Sequence, residues 1–161
     1  MPELPEVETV RRGLDKLIVG KQIMAVDCLC EKSLPIATTD INKIIVGATI
    51  LAVRRRAKML LIDLSGNYTL LIHLKMTGQM VYRGEANWGA GHPNDSFLGN
   101  LPDRSTRVII RLSGDNTLFF NDQRKFGWIK LYPTTEIDDL PTMCKLGPEP
   151  LIGDPWPEFI R

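Results

Sequence analysis

The sequence predicts a mainly β fold with one helix: an eight-stranded β-sandwich or flattened barrel, with an N-terminal helix packed on it. Three observations point there. One apolar stripe at helical spacing opens the chain, only short β-like runs follow it, and turn signals separate those runs. The 161 residues suffice for one domain with a real core, or for one domain and the start of another.

The helix is expected over Pro5–Leu17, where Val7, Val10, Leu14 and Leu17 recur at spacings of three, four and three. Pro5 suits a first helical turn, Glu6 and Glu8 favour its positive end, and Gly20 closes the segment. Strands are expected at Ile23–Cys30, Ala48–Arg55, Met59–Leu64, Thr69–Leu74, Gln79–Tyr82, Val108–Leu112, Thr117–Asn121 and Trp128–Tyr132. Ser65-Gly66-Asn67 and Ser113-Gly114-Asp115-Asn116 are the turn signals between pairs. Arg83 to Arg107, with four glycines, two prolines, Trp88 and His92, shows no period and reads as a functional loop or a mobile insertion. Residues 1–140 are thus assigned to the sandwich. Residues 141–161, rich in proline and glycine, are assigned to a linker. Glu158-Phe159-Ile160 open what reads as a further helix just before Arg161, so the chain is expected to be a fragment.

Charge is balanced, with 20 lysines and arginines against 19 acidic residues. Total charge therefore announces no nucleic-acid binder, although local patches still set the field a ligand meets. Cys28, Cys30 and Cys144 are odd in number and form no CxxC pair, which argues against a disulfide framework or a zinc site in this chain. Cys28 and Cys30 fit one face of a strand. Charges interrupt every long apolar run, so no membrane partner is expected, and a reduced, soluble, cytoplasmic protein is the default.

Chemistry concentrates in four places. Pro2, once Met1 is trimmed, would be a secondary amine able to attack an electrophilic carbon and form an iminium. Glu3 beside it supplies a proton donor or acceptor; alternatively, the proline merely starts a helix. Arg54-Arg55-Arg56-Ala57-Lys58 is either a solvated turn or a phosphate clamp. In Asp122-Gln123-Arg124-Lys125-Phe126-Gly127, the phenylalanine is either core or a wedge for a base stack. His73-Leu74-Lys75-Met76-Thr77-Gly78 ends a strand in a turn whose methionine poses the same choice.

MPELPEVETVRRGL, RRRAKMLL, IHLKMTG, DQRKFG and KLGPEPL, in this order, closely resemble the N-terminal domain of formamidopyrimidine-DNA glycosylases. The resemblance runs from Met1 to Leu151, and Leu4 favours this branch over the endonuclease VIII group, which typically opens with a PEGPE-type motif. It implies a bifunctional base-excision-repair enzyme, glycosylase and abasic-site lyase, that removes oxidised purines such as formamidopyrimidines and 8-oxoguanine. The implied partner is double-stranded DNA holding such lesions or abasic sites. A monomer in the bacterial cytoplasm, working at the nucleoid, is expected.

Carried over by position, the resemblance makes Pro2 the nucleophile at C1′ and Glu3 the acid for the sugar ring oxygen. Lys58 then acts at the phosphate and in proton transfer, and Glu6 and His73 are on the substrate side. Met76, Arg124 and Phe126 would fill the void left by an extruded nucleotide. Arg56, Arg104, Arg107 and Lys125 are expected phosphate contacts. A family histidine before the strand at Val108 appears here as Ser105, so Arg104 and Arg107 are the expected replacements. The resemblance also implies a helix–two-turns–helix region and a four-cysteine zinc finger beyond residues 141–161, so no cofactor is expected in this chain. The isolated sandwich should bind DNA weakly, because phosphate contacts dominate affinity. Two other readings stand beside the enzyme: a non-catalytic DNA-binding module or inactive fragment, and an N-terminal-proline tautomerase. The second is disfavoured by the acidic helix that follows Pro2.

Overall fold

The computed structural model describes residues 4–92 and 99–144. Pro2, Glu3 and the KLGPEPL motif lie outside the described residues.

Helix α1 (Leu4–Ile18) buries Val7, Val10, Leu14 and Ile18. Ile18 rather than Leu17 completes the stripe, because it lies one step of four beyond Leu14 on the same face. Next come β1 (Ile23–Cys28), a short helix α2 (Thr38–Asp40) continued by a π-helical turn at Ile41–Ile45, and β2 (Ile50–Arg56). β3 (Met59–Leu64), β4 (Tyr68–His73), β5 (Gly78–Arg83) and β6 (Asn87–Gly91) follow. The remainder is β7 (Thr106–Leu112), β8 (Asn116–Asp122), β9 (Trp128–Pro133), a 3₁₀ turn at Thr134–Asp139 and a last helical turn, α3 (Pro141–Cys144).

The strands form two antiparallel sheets, β1-β7-β8-β5-β6 and β2-β3-β4-β9. Ile62, Ile72 and Ile129 of one sheet meet Met80, Val108, Ile110 and Phe120 of the other, and the buried stripe of α1 joins this core. Burial of this apolar surface is the main favourable term holding the sandwich together. β3 and β4 read as nearly continuous apolar runs because their outer face is covered too. There Met59, Leu61 and Leu71 pack with Ile137 and Met143. No described helix is long and apolar enough to cross a membrane.

Two expectations are corrected. The described residues hold nine strands, not eight, because the segment read as an irregular insertion contains β6, paired with β5 from Gln79↔Gly91 to Arg83↔Asn87. Its Asn-Trp-Gly-Ala-Gly sequence offers only Trp88 and Ala90 to the core, an alternation too short to stand out among three polar or glycine positions. Trp88 is the largest side chain it packs, lying over Gly13 of α1, where a Cβ would stand only 2.1 Å from the indole. Just past residue 140, Pro141–Cys144 form α3, and Met143 is fully buried. Cys30 does not share a strand face with Cys28, because β1 ends at Cys28.

Candidate nucleic-acid interface

Strand register brings four loops to one end of the sandwich. Arg56 pairs with Met59, Met59 with His73, and His73 with Trp128 across one sheet. In the other sheet, Gly78 pairs with Asp122 and Thr106 with Asn121. The turn at 57–58, the crossings at 74–77 and 123–127, and the loop before β7 therefore share this end. Ala57, Lys75 and Lys125 each hold a left-handed backbone there, with φ of 51°, 54° and 60°. Such residues are uncommon outside Asn, Asp and Gly, and strained backbone of this kind clusters at functional sites.

The basic cluster is not four solvated cations. Period-two alternation sends Arg55 to the face opposite Arg54 and Arg56. Arg54 makes a two-pronged pair with Asp63, Nε to Oδ2 at 2.7 Å and Nη2 to Oδ1 at 2.9 Å. Arg55, with 9% of its side chain exposed, donates from Nε to Glu8 Oε1 at 2.9 Å and from Nη1 to Ala57 O at 3.0 Å. Arg56 pairs with the exposed Asp138 at 3.3 Å. Glu8 also receives Arg11 at 3.0 Å and Arg12 at 2.9 Å. Burial pushes its carboxyl upward, but the guanidiniums of Arg11, Arg55 and Arg12 outweigh burial and hold it below the usual range. Lys58 is half-buried in the two-residue turn joining β2 to β3.

His73 closes β4 beside that turn. Its Nδ1 accepts the backbone N–H of Lys75 at 3.0 Å, so the neutral ring carries its proton on Nε2. Burial, then the charges of Lys75 and Lys58, lower its pKa from 6.5 to about 4. Near neutral pH this imidazole is an uncharged donor.

Met76 is 38% exposed and Phe126 45% exposed, although both are apolar. Arg124 lies 5.2 Å from the Phe126 ring centroid and Lys32 lies 5.6 Å from it. Two cations thus approach a ring presented to solvent. The backbone beneath this loop is held by the fully buried Asp122. Its Oδ2 accepts the Gly127 N–H at 2.6 Å, and its Oδ1 accepts the Thr77 hydroxyl. Gly127 is required by close approach, since a Cβ there would stand 2.8 Å from His73 O and 2.9 Å from Asp122 Oδ2.

Arg104 and Arg107 line one open groove of about 430 Å³ with Asp103, Ser105 and Gln123. Ser105 is buried, and both its N–H and its hydroxyl donate to Asp103 Oδ1, at 2.8 and 2.7 Å. It therefore shapes the loop while the arginines border the groove. Glu6 is exposed on the first turn of α1, and Lys125 is exposed beside Phe126. The sequence-predicted residues within the described range thus gather at this end, except that Glu6 stands on the helix and Arg56 is engaged with Asp138. Sequence reasoning missed Glu8, Asp122, Thr77 and Lys32. Asp122 and Thr77 sit inside the quoted motifs, but their roles depend on contacts between distant loops. Among the described residues, no group of three or more His, Cys, Asp or Glu side chains is placed to hold a metal.

The family model for the formamidopyrimidine-DNA glycosylase N-terminal domain matches residues 1–129. A formamidopyrimidine-DNA glycosylase of Pelotomaculum thermopropionicum is 43% identical over 162 residues, covering 100% of this chain and 54% of that protein. One from Rhodopseudomonas palustris is 40% identical over 156 residues, covering 94% and 51%. Among solved structures, Lactococcus lactis Fpg (MutM) with DNA containing N7-benzyl-Fapy-dG superimposes with a TM-score of 0.73. It is 30% identical and covers 89% of this chain and 48% of that one. The same enzyme with DNA containing an abasic site matches with the same TM-score of 0.73 at 29% identity, covering 89% and 47%. The chain spans about half the length of the curated relatives it matches.

Proposed function

Because this chain belongs to the formamidopyrimidine-DNA glycosylase N-terminal domain family, we propose that it carries the chemical half of a base-excision-repair glycosylase and abasic-site lyase. The substrate class is duplex DNA holding oxidised purines, formamidopyrimidines and 8-oxoguanine among them. One observation carries this reading for the described residues. Met76, Arg124 and Phe126 stand exposed at the end of the sandwich where His73 and Lys58 also lie.

A glycosidic carbon inside a duplex is out of reach, so the nucleotide must first be extruded. Met76 and Phe126 fill the vacated stack, and Arg124 offers hydrogen bonds to the orphaned base. His73 contributes its Nε2–H to a phosphate oxygen as a neutral donor, and Lys58 adds charge beside it. Arg104 and Arg107 take a phosphate further along the backbone. Pro2, freed by removal of Met1, attacks C1′ as the bond from C1′ to the base breaks. The proton lost by the amine passes to the departing base, Glu3 protonates the ring oxygen, the C1′–O4′ bond opens, and the nitrogen lone pair completes an iminium. The iminium acidifies the 2′ hydrogens. Loss of one of them expels the 3′ phosphate and nicks the strand.

Borohydride reduction during incubation with abasic duplex tests this reading. A covalent adduct on the N-terminal peptide at Pro2 is expected. No adduct, or one confined to lysines, would contradict it. A second reading, an inactive fragment that grips damaged DNA only weakly, is favoured by the carboxylate partners that occupy Arg54, Arg55 and Arg56. It predicts binding without the adduct.

A further inference from the structure

We propose that Asp122 is a positioning residue that presets the loops carrying Met76, Arg124 and Phe126 in one insertion-ready arrangement. The inference rests on the DNA-facing reading of this end of the sandwich.

Asp122 closes β8 with no exposed surface. Its Oδ1 accepts the Thr77 hydroxyl and, at 3.3 Å, the Arg124 N–H. Its Oδ2 accepts the Gly127 N–H at 2.6 Å. Thr77 Oγ1 in turn accepts the Arg124 N–H at 3.0 Å, closing a ring of bonds between the two loops. The main chain of Asp122 holds the third loop, donating from N to Ser105 O at 2.7 Å and accepting Arg107 Nε at its carbonyl at 2.8 Å. One residue thus joins the methionine loop, the arginine groove and the arginine–phenylalanine loop. The Gly78↔Asp122 pair ends the β5–β8 ladder, so sheet register alone does not fix what lies beyond it.

The chemistry needs a carboxylate. Three donors face two acceptor oxygens, and an ionised carboxylate is acceptor-only. An amide at this position would turn an NH₂ group toward a backbone N–H or a hydroxyl. Three side chains that enter a duplex together gain most when their backbones are ordered beforehand, since ordering on binding subtracts from affinity. General attraction to the phosphate backbone needs no such order. Loss of the Asp122 network should therefore erode recognition of a gap in the stack and spare binding to intact duplex.

The test compares the affinity of the chain for a duplex with a tetrahydrofuran abasic analogue and for the same duplex intact. The proteins are wild type, Asp122→Asn, Thr77→Val and Thr77→Ser. Wild type is expected to prefer the abasic duplex. Asp122→Asn and Thr77→Val are expected to cut that preference by about tenfold, leaving intact-duplex affinity within about twofold. Both should speed hydrogen exchange at the Arg124 and Gly127 amides, and Thr77→Ser should restore preference and protection. Thr77→Val removes one hydroxyl only and carries the test if Asp122→Asn fails to fold. A wild type without any preference overturns the functional reading and this inference with it. A wild-type preference retained by Asp122→Asn or Thr77→Val overturns this inference alone.

Discussion

Arg55 joins helix α1 to the turn that holds Lys58: its Nε lies 2.9 Å from Glu8 Oε1, and its Nη1 lies 3.0 Å from Ala57 O. Pro2 and Glu3 immediately precede α1 in sequence, so this guanidinium links the helix that follows the proposed nucleophile to the turn bearing the proposed phosphate lysine. Removing one partner of a buried pair leaves the other uncompensated. Glu8→Ala removes the one carboxylate shared by Arg55, Arg11 and Arg12, and should cost about 3–5 kcal/mol. Arg55→Met leaves Glu8 with two guanidiniums and should cost less, about 1–3 kcal/mol. Urea unfolding of both variants checks the order. A costlier Arg55→Met would show that the pair is not organised around Glu8.

His73 sets the direction of the pH dependence. Its folded pKa of about 4 lies below its ordinary 6.5, so within that window the unfolded chain binds a proton that the folded chain does not. Stability therefore falls as pH drops from about 6.5 toward 4, and this group takes nothing further from it below that. Glu8, depressed in the folded state, adds stability above the ordinary carboxylate range and loses it on further acidification. His73→Gln should flatten the upper part of the profile and leave the lower part. The sequence holds two histidines, so a His92→Asn background gives one imidazole whose NMR titration reads the pKa directly. A midpoint near 6.5 would contradict the half-buried, doubly repelled ring.

Lys125 occupies a left-handed conformation, φ 60°, that costs an L-residue roughly 1–2 kcal/mol. Lys125→Gly should relieve that strain and raise stability by about 0.5 kcal/mol, since glycine's unfolded-state entropy offsets part of the gain. It should weaken DNA binding by removing a cation beside Phe126. Thermal unfolding and DNA titration on one sample check both halves. A drop in stability would show that the lysine side chain holds the loop.

Gly13→Ala improves helix propensity by about 1 kcal/mol but places a Cβ 2.1 Å from the Trp88 indole. Overpacking should win, with a net loss of about 1–2 kcal/mol. The paired change Gly13→Ala with Trp88→Leu should cost less than the sum of the two singles, and additive losses would contradict the packing of β6 on α1.

The fold class was legible because α1 and eight strands each carry their own period. Their ends shifted by one or two residues where ladder pairing, rather than apolar pattern, sets the boundary. β6 was illegible because its main anchor, Trp88, depends on a glycine in another element. α3 was hidden by the prolines around it, although Met143 seals the outer face of β3 and β4. Within the site, Lys58, His73, Met76, Arg124 and Phe126 could be read from ordered motifs. The basic run misled in part: alternation and three separate carboxylates, on α1, β3 and the turn at Thr134–Asp139, divide its arginines. Asp122 was invisible as a hub because its partners lie in loops up to 45 residues away.

Backbone amide shifts recorded while the chain is titrated with a short abasic duplex would show whether the loop end of the sandwich faces DNA. Perturbations are expected at 57–58, 73–77, 104–107 and 124–127. Shifts concentrated instead at the opposite turns, 65–67 and 113–116, would contradict that orientation.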